Sequence, residues 1–256
     1  MVDTTTSHEA LRFSLAPLQD FDPALLISGD DDVDGFVLSL ALAYNDLKSI
    51  HWMNYMLEQN KPAQIDALTP ISGQWNGMRV QVARWSMALA HEIMHAIARA
   101  ESAEVMSKPP IRKAVQGLPD VLRTRWKVLV KVSCGRTPAS GPLRGYLRDL
   151  RNQGVFHYAY TEQLVAAYRE FFAADPKSDF NRRAYFSLGP TMNKTRFYFA
   201  DAAAQRMYCG EADRQALFDE ATDLVNELHH SIVGVVFEYL KIRGESLQAV
   251  TPNLTP

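Results

Sequence analysis

The sequence predicts an all-α fold, an up-and-down helical bundle with a small β-hairpin inserted late in the chain. Long proline-free segments carry apolar residues at every third or fourth position, and no glycine-rich nucleotide-binding loop occurs. The composition, 47% hydrophobic and 22% charged, is that of a globular protein with a sizeable core. Since no repeat or long linker divides the chain, we expect a single helical domain over residues 1–256, in which residues 1–30 form a polar N-terminal arm.

The first helix is predicted from Val33 to Gln59. This stretch contains no proline and is rich in Leu, Ala and Met, and Asp30 to Asp32 come directly before it. Acidic residues at a helix start interact favourably with the helix macrodipole. Pro62 and Pro70 then predict a loop.

The second helix is predicted from Trp75 to Val105, and Pro109-Pro110 ends it. Its apolar residues recur at three- and four-residue spacing, which gives one stripe facing the core. They are Trp75, Met78, Val82, Trp85, Leu89, Ile93 and Ala96. The segment Leu118–Val132 is predicted as a shorter helix, although its run Val128–Val132 is also typical of a strand.

The second half of the chain begins with a turn-rich loop and a short amphipathic helix, which Leu143, Leu147 and Leu150 predict. Another helix is expected from Thr161 to Phe172, with Thr161 as its cap. Aromatic runs around a Gly-Pro break predict the hairpin within residues 176–200. The final helix, residues 211–243, is closed by Gly244 and packs on the bundle.

The charge pattern favours binding of nucleic acid by a local basic patch over attraction by the protein as a whole. The formal net charge is −2, so no overall field draws the protein onto nucleic acid, and such binding needs a local basic patch. Two clusters qualify, although a solvated helix face is the plainer interpretation of either. They are Arg123, Arg125, Lys127, Lys131 and Arg136, and then Arg144, Arg148 and Arg151.

The cysteines and the N-terminal residues indicate in which cellular compartment the protein is expected. Cys134 and Cys209 form no CxxC pair, so neither a disulfide framework nor a structural zinc site is expected. The polar N-terminus lacks the features of a signal peptide, and the longest mainly apolar run, residues 36–44, is too short for a membrane span. We therefore expect a cytoplasmic protein without a membrane partner.

A first histidine motif lies in the second helix. His91, Glu92 and His95 match the HExxH pattern, in which two imidazoles bind zinc and the glutamate is the general base. A helical wheel turns both histidines away from the core. Ala98 and Glu101 stand where a metzincin needs glycine and histidine, so a third ligand is missing from that pattern. More distant candidates for it are Glu162 and Glu170.

A second motif is the segment RNQGVFH, in which Arg151, Asn152 and His157 stand at fixed spacing. It resembles the HEPN family, whose signature is an arginine, a polar residue, a few variable residues and a histidine. The resemblance is close over residues 143–173 and architectural elsewhere. It implies an antiparallel helical bundle and a metal-independent endoribonuclease that needs no cofactor, with Arg151, Asn152 and His157 as its catalytic residues.

The residue types agree with that chemistry. A histidine titrates near neutrality and transfers protons, and an arginine presents a charged fork to a phosphate. Along one unbroken helix, Arg151 and His157 lie about 120 degrees apart, so a composite cleft in a homodimer is expected. Asn152 would orient His157 or a phosphate. Substrate contacts are expected from Tyr158, Arg148 and Arg144.

The resemblance also implies RNA as the partner, a role in toxin–antitoxin systems or anti-phage defence, and an antitoxin or regulatory protein. A structural alternative stays open: His157 caps a neighbouring helix while Arg151 and Asn152 pair with acids such as Asp149. In that case the protein is a catalytically inactive binding or scaffold protein. A zinc-dependent hydrolase at His91, Glu92 and His95 is the second alternative. The pair His229-His230 is interpreted as surface or packing residues rather than a metal pair. The aromatic groups Phe171-Phe172 and Phe197-Tyr198-Phe199 are interpreted as core residues rather than a base-stacking platform.

Overall fold

The computed structural model describes residues 19–20, 23–65, 69–138, 140–152, 162–175, 177–191, 194–210, 212–244 and 248–249. These residues are overwhelmingly helical, which confirms the all-α class. The helices are α1 (Asp31–Gln59), α2 (Pro70–Ser102), α3 (Pro109–Gly117), α4 (Asp120–Ser133), α5 (Ser140–Leu150), α6 (Glu162–Ala174), α7 (Asp179–Arg182), α8 (Tyr198–Cys209) and α9 (Ala212–Arg243). Two-residue strands, β1 (Gln19–Asp20) and β2 (Gln248–Ala249), pair antiparallel, and 3-10 turns cover Pro23–Leu25 and Val105–Ser107. Residues 1–18 of the predicted N-terminal arm lie outside the described residues.

The helix starts follow local capping chemistry. The Asp30 side chain accepts a hydrogen bond from the Val33 amide and caps α1. The Thr69 side chain caps α2 in the same way, with Pro70 at the first helical position. A proline there costs no hydrogen bond, since that amide has no partner in a helix. Pro70 therefore opens α2 rather than marking only a loop, and α2 begins five residues before the predicted start.

Helix α9 packs against α1, α2, α3, α4, α5 and α8 and forms the centre of the bundle. Its fully buried side chains include Leu228, Ile232, Val235 and Tyr239. The Gly244 amide donates to the Leu240 carbonyl and closes α9, as predicted. In the described part of the chain, no helix combines the length and the apolar character that a membrane span needs.

The buried face of α2 differs from the predicted stripe. Trp75, Val82 and Ile93 are buried, but Met78 and Trp85 are 39% and 37% exposed. They line a groove with apolar side chains of α1 instead of facing the core. The helical wheel predicts that one stripe of apolar residues is buried. In the structure several neighbouring helices pack on α2, and they bury a different part of its circumference.

The predicted hairpin over residues 176–200 is not seen among the described residues. Its strands reduce to one antiparallel bridge, in which Ser187 and Arg196 exchange backbone hydrogen bonds of 2.8 and 2.9 Å. The Thr195 hydroxyl binds the Gly189 amide and carbonyl, so a side chain takes the place of further strand pairing. On the other side α8 begins at Tyr198 and ends any extended backbone.

Two glycines of α2 allow this segment to pack closely against the helix. An added Cβ at Gly73 would come within 2.6 Å of the Tyr198 ring, and one at Gly77 would overlap the Arg196 guanidinium. Arg196 is fixed there by Asp201, whose Oδ2 lies 2.7 Å from its Nε. The close approach of residues 196–201 to α2 therefore depends on the absence of side chains one helical turn apart.

Candidate functional site

The two histidine-bearing motifs meet in space. The Nε of Arg151 donates to Oε1 of Glu92 at 2.8 Å, although the residues are 59 positions apart. Packing of α5 on α2 brings them together. The predicted apolar stripe of α5 is confirmed, since Leu143, Leu147 and Leu150 are buried. The next residue, Arg151, thus emerges at the edge of the core beside α2.

The Arg151 guanidinium is held on two of its three nitrogens. Besides the Glu92 contact, Nη1 donates to Oδ1 of Asn152 at 3.0 Å, within a π-type turn that extends α5. Nη2 has no hydrogen-bond partner among the described residues. The side chain is 38% exposed, so these remaining donors are accessible to a ligand. A guanidinium fixed at one edge and open at the other suits an oxyanion such as phosphate.

His91 lies beside this ion pair and is half-buried. Burial lowers the pKa of His91 below its ordinary value, and the positive charges of Arg151 and Arg144 lower it further, while Glu92 opposes the shift. The imidazole is therefore neutral near neutral pH and able to accept a proton. The His95 ring is nearly parallel to it, with ring centroids 6.4 Å apart, and is exposed.

The other predicted basic residues extend this polar face along α5. Arg144 and Arg148 are both exposed, on the side opposite the buried leucines. The Arg144 guanidinium lies over Gly135, whose φ of 69° lies in the left-handed region that favours glycine. Arg148 pairs with Asp149, with its Nε 3.4 Å from Oδ1. Asp149 is thus the partner of Arg148, and Arg151 uses Glu92.

The described residues do not provide the set of ligands that a zinc-dependent hydrolase needs. No group of three or more His, Cys, Asp and Glu side chains there is arranged to hold a metal ion. Glu92, the general base of an HExxH enzyme, is engaged by Arg151. The half-buried thiol of Cys134 is on the neighbouring loop, and burial raises its pKa, so it stays protonated near neutral pH.

Not every predicted site residue falls in the described part of the chain. His157 and Tyr158 are outside the described residues, so their relation to Arg151 stays a prediction. The second pair, His229-His230, has ring centroids 3.7 Å apart, and burial lowers the pKa of His229, with His230 and His51 adding to it. Glu92 as a partner of Arg151 was missed by sequence reasoning, because no periodicity links residues on separate helices.

Comparisons of the chain with protein-family models, with curated proteins and with solved structures found no match. The assignment of a function therefore depends on the residues themselves and on their arrangement.

Proposed function

We propose that the protein is a metal-independent endoribonuclease of the HEPN type, acting through a cleft shared by two copies of the chain. The observation that carries the proposal is the Arg151 guanidinium, which Glu92 and Asn152 anchor and whose Nη2 bonds to no described residue. Its hydrogen bond to Asn152 joins the first two positions of the RNQGVFH signature. A toxin or anti-phage role follows from the resemblance to that family.

The reaction needs three groups. A base takes the proton of the 2′-hydroxyl, whose oxygen bonds to phosphorus as the bond from phosphorus to the 5′-oxygen breaks, and an acid protonates that oxygen. His157 is proposed as the proton-transfer residue. Arg151 would stabilise the charge on the crowded phosphate through the donors that no described residue engages. The products are a 2′,3′-cyclic phosphate and a 5′-hydroxyl.

Charge around the site supports an anionic substrate. Glu92 neutralises Arg151 in part, but Arg144 forms no ion pair with a described residue and is exposed. Arg144, Arg148 and Arg151 outnumber the carboxylates of Glu92 and Asp149 on this face, so it is locally positive although the whole chain carries a formal charge of −2. Arg144, Arg148 and Tyr158 are proposed to contact the RNA beside the scissile phosphate.

The competing proposal is a catalytically inactive binding or scaffold protein that uses the same face. The observation that favours it is the Glu92 contact, because an arginine already paired with a carboxylate also has a purely structural explanation. The two proposals differ in one measurable respect, which is whether RNA is cleaved without metal.

The test incubates mixed RNA with the protein in EDTA. Fragments ending in 2′,3′-cyclic phosphate are expected, since the internal nucleophile needs no metal-bound water. His157→Ala should reduce cleavage by about two orders of magnitude or more. Arg151→Lys should also fail, because an ammonium cannot make the bidentate phosphate contact. The matched control is Arg112→Lys, an exposed arginine of α3, which should cleave as the wild type does.

A composite cleft gives a second readout. Light scattering should give a dimer at micromolar concentration, with an interface of at least standard size. Mixing the inactive Arg151→Lys and His157→Ala proteins should restore part of the activity, because a mixed dimer holds one intact copy of each residue. A strict monomer contradicts the composite cleft, and a wild type that leaves RNA intact in EDTA makes the binding protein the better proposal.

A further inference from the structure

A cavity of about 490 Å³ lies between the start of α2, the end of α6 and the start of α8. We propose that this cavity, here called the aromatic cavity, binds a nucleobase. Its aromatic lining consists of Phe171, Phe172, Tyr185, Tyr198 and Phe199. The inference does not depend on the proposed nuclease activity, since it concerns other residues and a binding step alone.

These aromatic rings are not part of the protein core. None of the five belongs to either buried hydrophobic cluster, and all of them are half-buried. The expectation that Phe171-Phe172 is core packing is therefore wrong. Five partly exposed rings around one cavity leave faces on which a planar ligand can stack.

The rings are held in defined positions. Phe171 and Phe172 meet edge to face with centroids 5.1 Å apart. Tyr198 lies over Gly73, and its hydroxyl bonds to Ser187 Oγ at 2.7 Å and to the Pro70 carbonyl at 3.3 Å. A site whose walls are fixed before binding loses little conformational entropy when the ligand enters.

Polar groups sit at the edge of the cavity. Nδ2 of Asn76 donates to the Ile65 carbonyl at 3.2 Å, and no donor to its Oδ1 is found among the described residues. Gln205, exposed on α8, adds a second amide with a donor and an acceptor. Arg183 also lines the cavity, is exposed, and forms no ion pair with a described residue.

A nucleobase matches this combination better than other ligands of similar size. The volume is in the range of sites for small molecules, so no folded partner enters it. Aromatic faces stack on a base, and amide side chains bond to its donor and acceptor edge. Arg183 at the rim would hold the attached phosphate.

A second cavity lies next to the aromatic cavity, on the side of the candidate functional site. It has a volume of about 430 Å³, shares Asn76 and Gln205 with the aromatic cavity, and reaches Leu150, the residue before Arg151. The base that binds has two possible sources with the same chemistry. It comes either from a free nucleotide or from an unstacked position of an RNA strand.

The test is isothermal titration calorimetry with the four nucleoside monophosphates, adenosine and ribose 5-phosphate. At least one monophosphate should bind saturably and more tightly than ribose 5-phosphate. Phe172→Leu and Phe199→Leu should each weaken binding about 5- to 100-fold, the worth of a lost base–aromatic stack. Arg183→Ala should weaken the monophosphates but not adenosine. The control is Phe186→Leu, whose ring is 60% exposed and does not line the cavity.

A 2′-O-methyl oligonucleotide, which cannot be cleaved, separates the two sources. Its binding in competition with a monophosphate assigns the cavity to an RNA strand, and its failure to bind assigns the cavity to a free nucleotide. Cleavage is scored with mixed RNA, and base binding is scored with the monophosphates and the two phenylalanine variants, so failure of the proposed nuclease and failure of the proposed base site are distinguishable. The proposal is overturned if no monophosphate binds, if ribose 5-phosphate binds equally well, or if both phenylalanine variants bind normally while folded.

Discussion

Substitution of Asp34 should destabilise the protein more than that of any neighbouring acid. Asp34 is only 4% exposed, in the first turn of α1. Its carboxylate accepts bonds from the Ser28 amide at 2.9 Å and the Ser28 hydroxyl at 2.6 Å. It also accepts bonds from the Gly29 amide and the Tyr239 hydroxyl, each at 3.3 Å. One buried charge thus ties the chain before α1 to the C-terminal end of α9.

The expected loss of stability can be worked out from these hydrogen-bond partners. A hydrogen bond to a charged group contributes roughly 1.5–3 kcal/mol, and an unsatisfied buried donor costs about 1–3 kcal/mol. Ser28 is half-buried and regains water, and Tyr239 retains the Leu26 carbonyl as an acceptor. We therefore expect Asp34→Ala to lower the free energy of unfolding by about 2–4 kcal/mol rather than by the sum of all four contacts.

The same contacts set a pH dependence. Burial by itself raises the pKa of Asp34, but the hydrogen bonds from Ser28, Gly29 and Tyr239 outweigh it and hold the pKa below the ordinary value of 3.8. Because the folded-state pKa is the lower one, this stabilisation is present above the unfolded pKa and is lost as pH falls through the folded pKa. The stability difference between the wild type and Asp34→Asn should therefore narrow below about pH 4.

The assay is urea denaturation followed by circular dichroism, at neutral pH and at a series of acidic values. The matched control is Asp32→Asn, whose side chain is 70% exposed and pairs with Lys108 at 3.2 Å. This control substitution should lower the free energy of unfolding by less than about 1 kcal/mol. An Asp34→Ala protein within about 1 kcal/mol of the wild type would refute the assignment of this network as a structural anchor.

Three further predictions concern residues of α2. Gly77→Ala should lower the free energy of unfolding, measured by urea denaturation, by about 1–3 kcal/mol because the added Cβ overlaps Arg196. The control is Gly35→Ala in α1, where an added Cβ meets nothing within 4 Å and should be neutral or stabilising by up to about 1 kcal/mol. Equal effects of the two substitutions would contradict the close packing of residues 196–201 on α2. Glu92→Ala should cost at most about 1 kcal/mol of stability, since the ion pair is 38% and 46% exposed, and a loss above about 2 kcal/mol makes the pair structural. Metal analysis should find less than one zinc per chain, and His95→Ala should keep fold and activity; tight stoichiometric zinc would refute the leading proposal.

Local signals in the sequence predicted most of the helices. The acidic start of α1, the leucine spacing of α5 and the glycine after α9 are each decided within a few residues, and the structure confirms them. Helix α3 was missed because Pro109-Pro110 was interpreted only as the end of a helix, although proline is compatible with a first turn. Helix α8 was missed because its aromatic start is also typical of a strand, and contacts with Gly73 and Gly77 on another helix decide between the two.

The sequence motifs nominate residues for a candidate site, but they do not give the arrangement of those residues in space. Periodicity indicates which side of a helix is buried, and it correctly turned His95 outward. It cannot give the rotation of α5 relative to α2, which the packing of Leu143 and Leu147 determines. The contact between Glu92 and Arg151 depends on that rotation.

This contact changes how the two enzyme hypotheses must be separated. Sequence reasoning treats HEIMH and RNQGVFH as independent motifs, so loss of activity in a Glu92 variant would count as support for zinc chemistry. In the structure Glu92 holds the Arg151 guanidinium, so its loss disturbs either site. His95, by contrast, is exposed, and among the described residues it forms no hydrogen bond with Arg151, although both residues lower the pKa of His91. Substitution of His95 therefore tests the metal hypothesis, whereas substitution of Glu92 tests only whether this polar face matters.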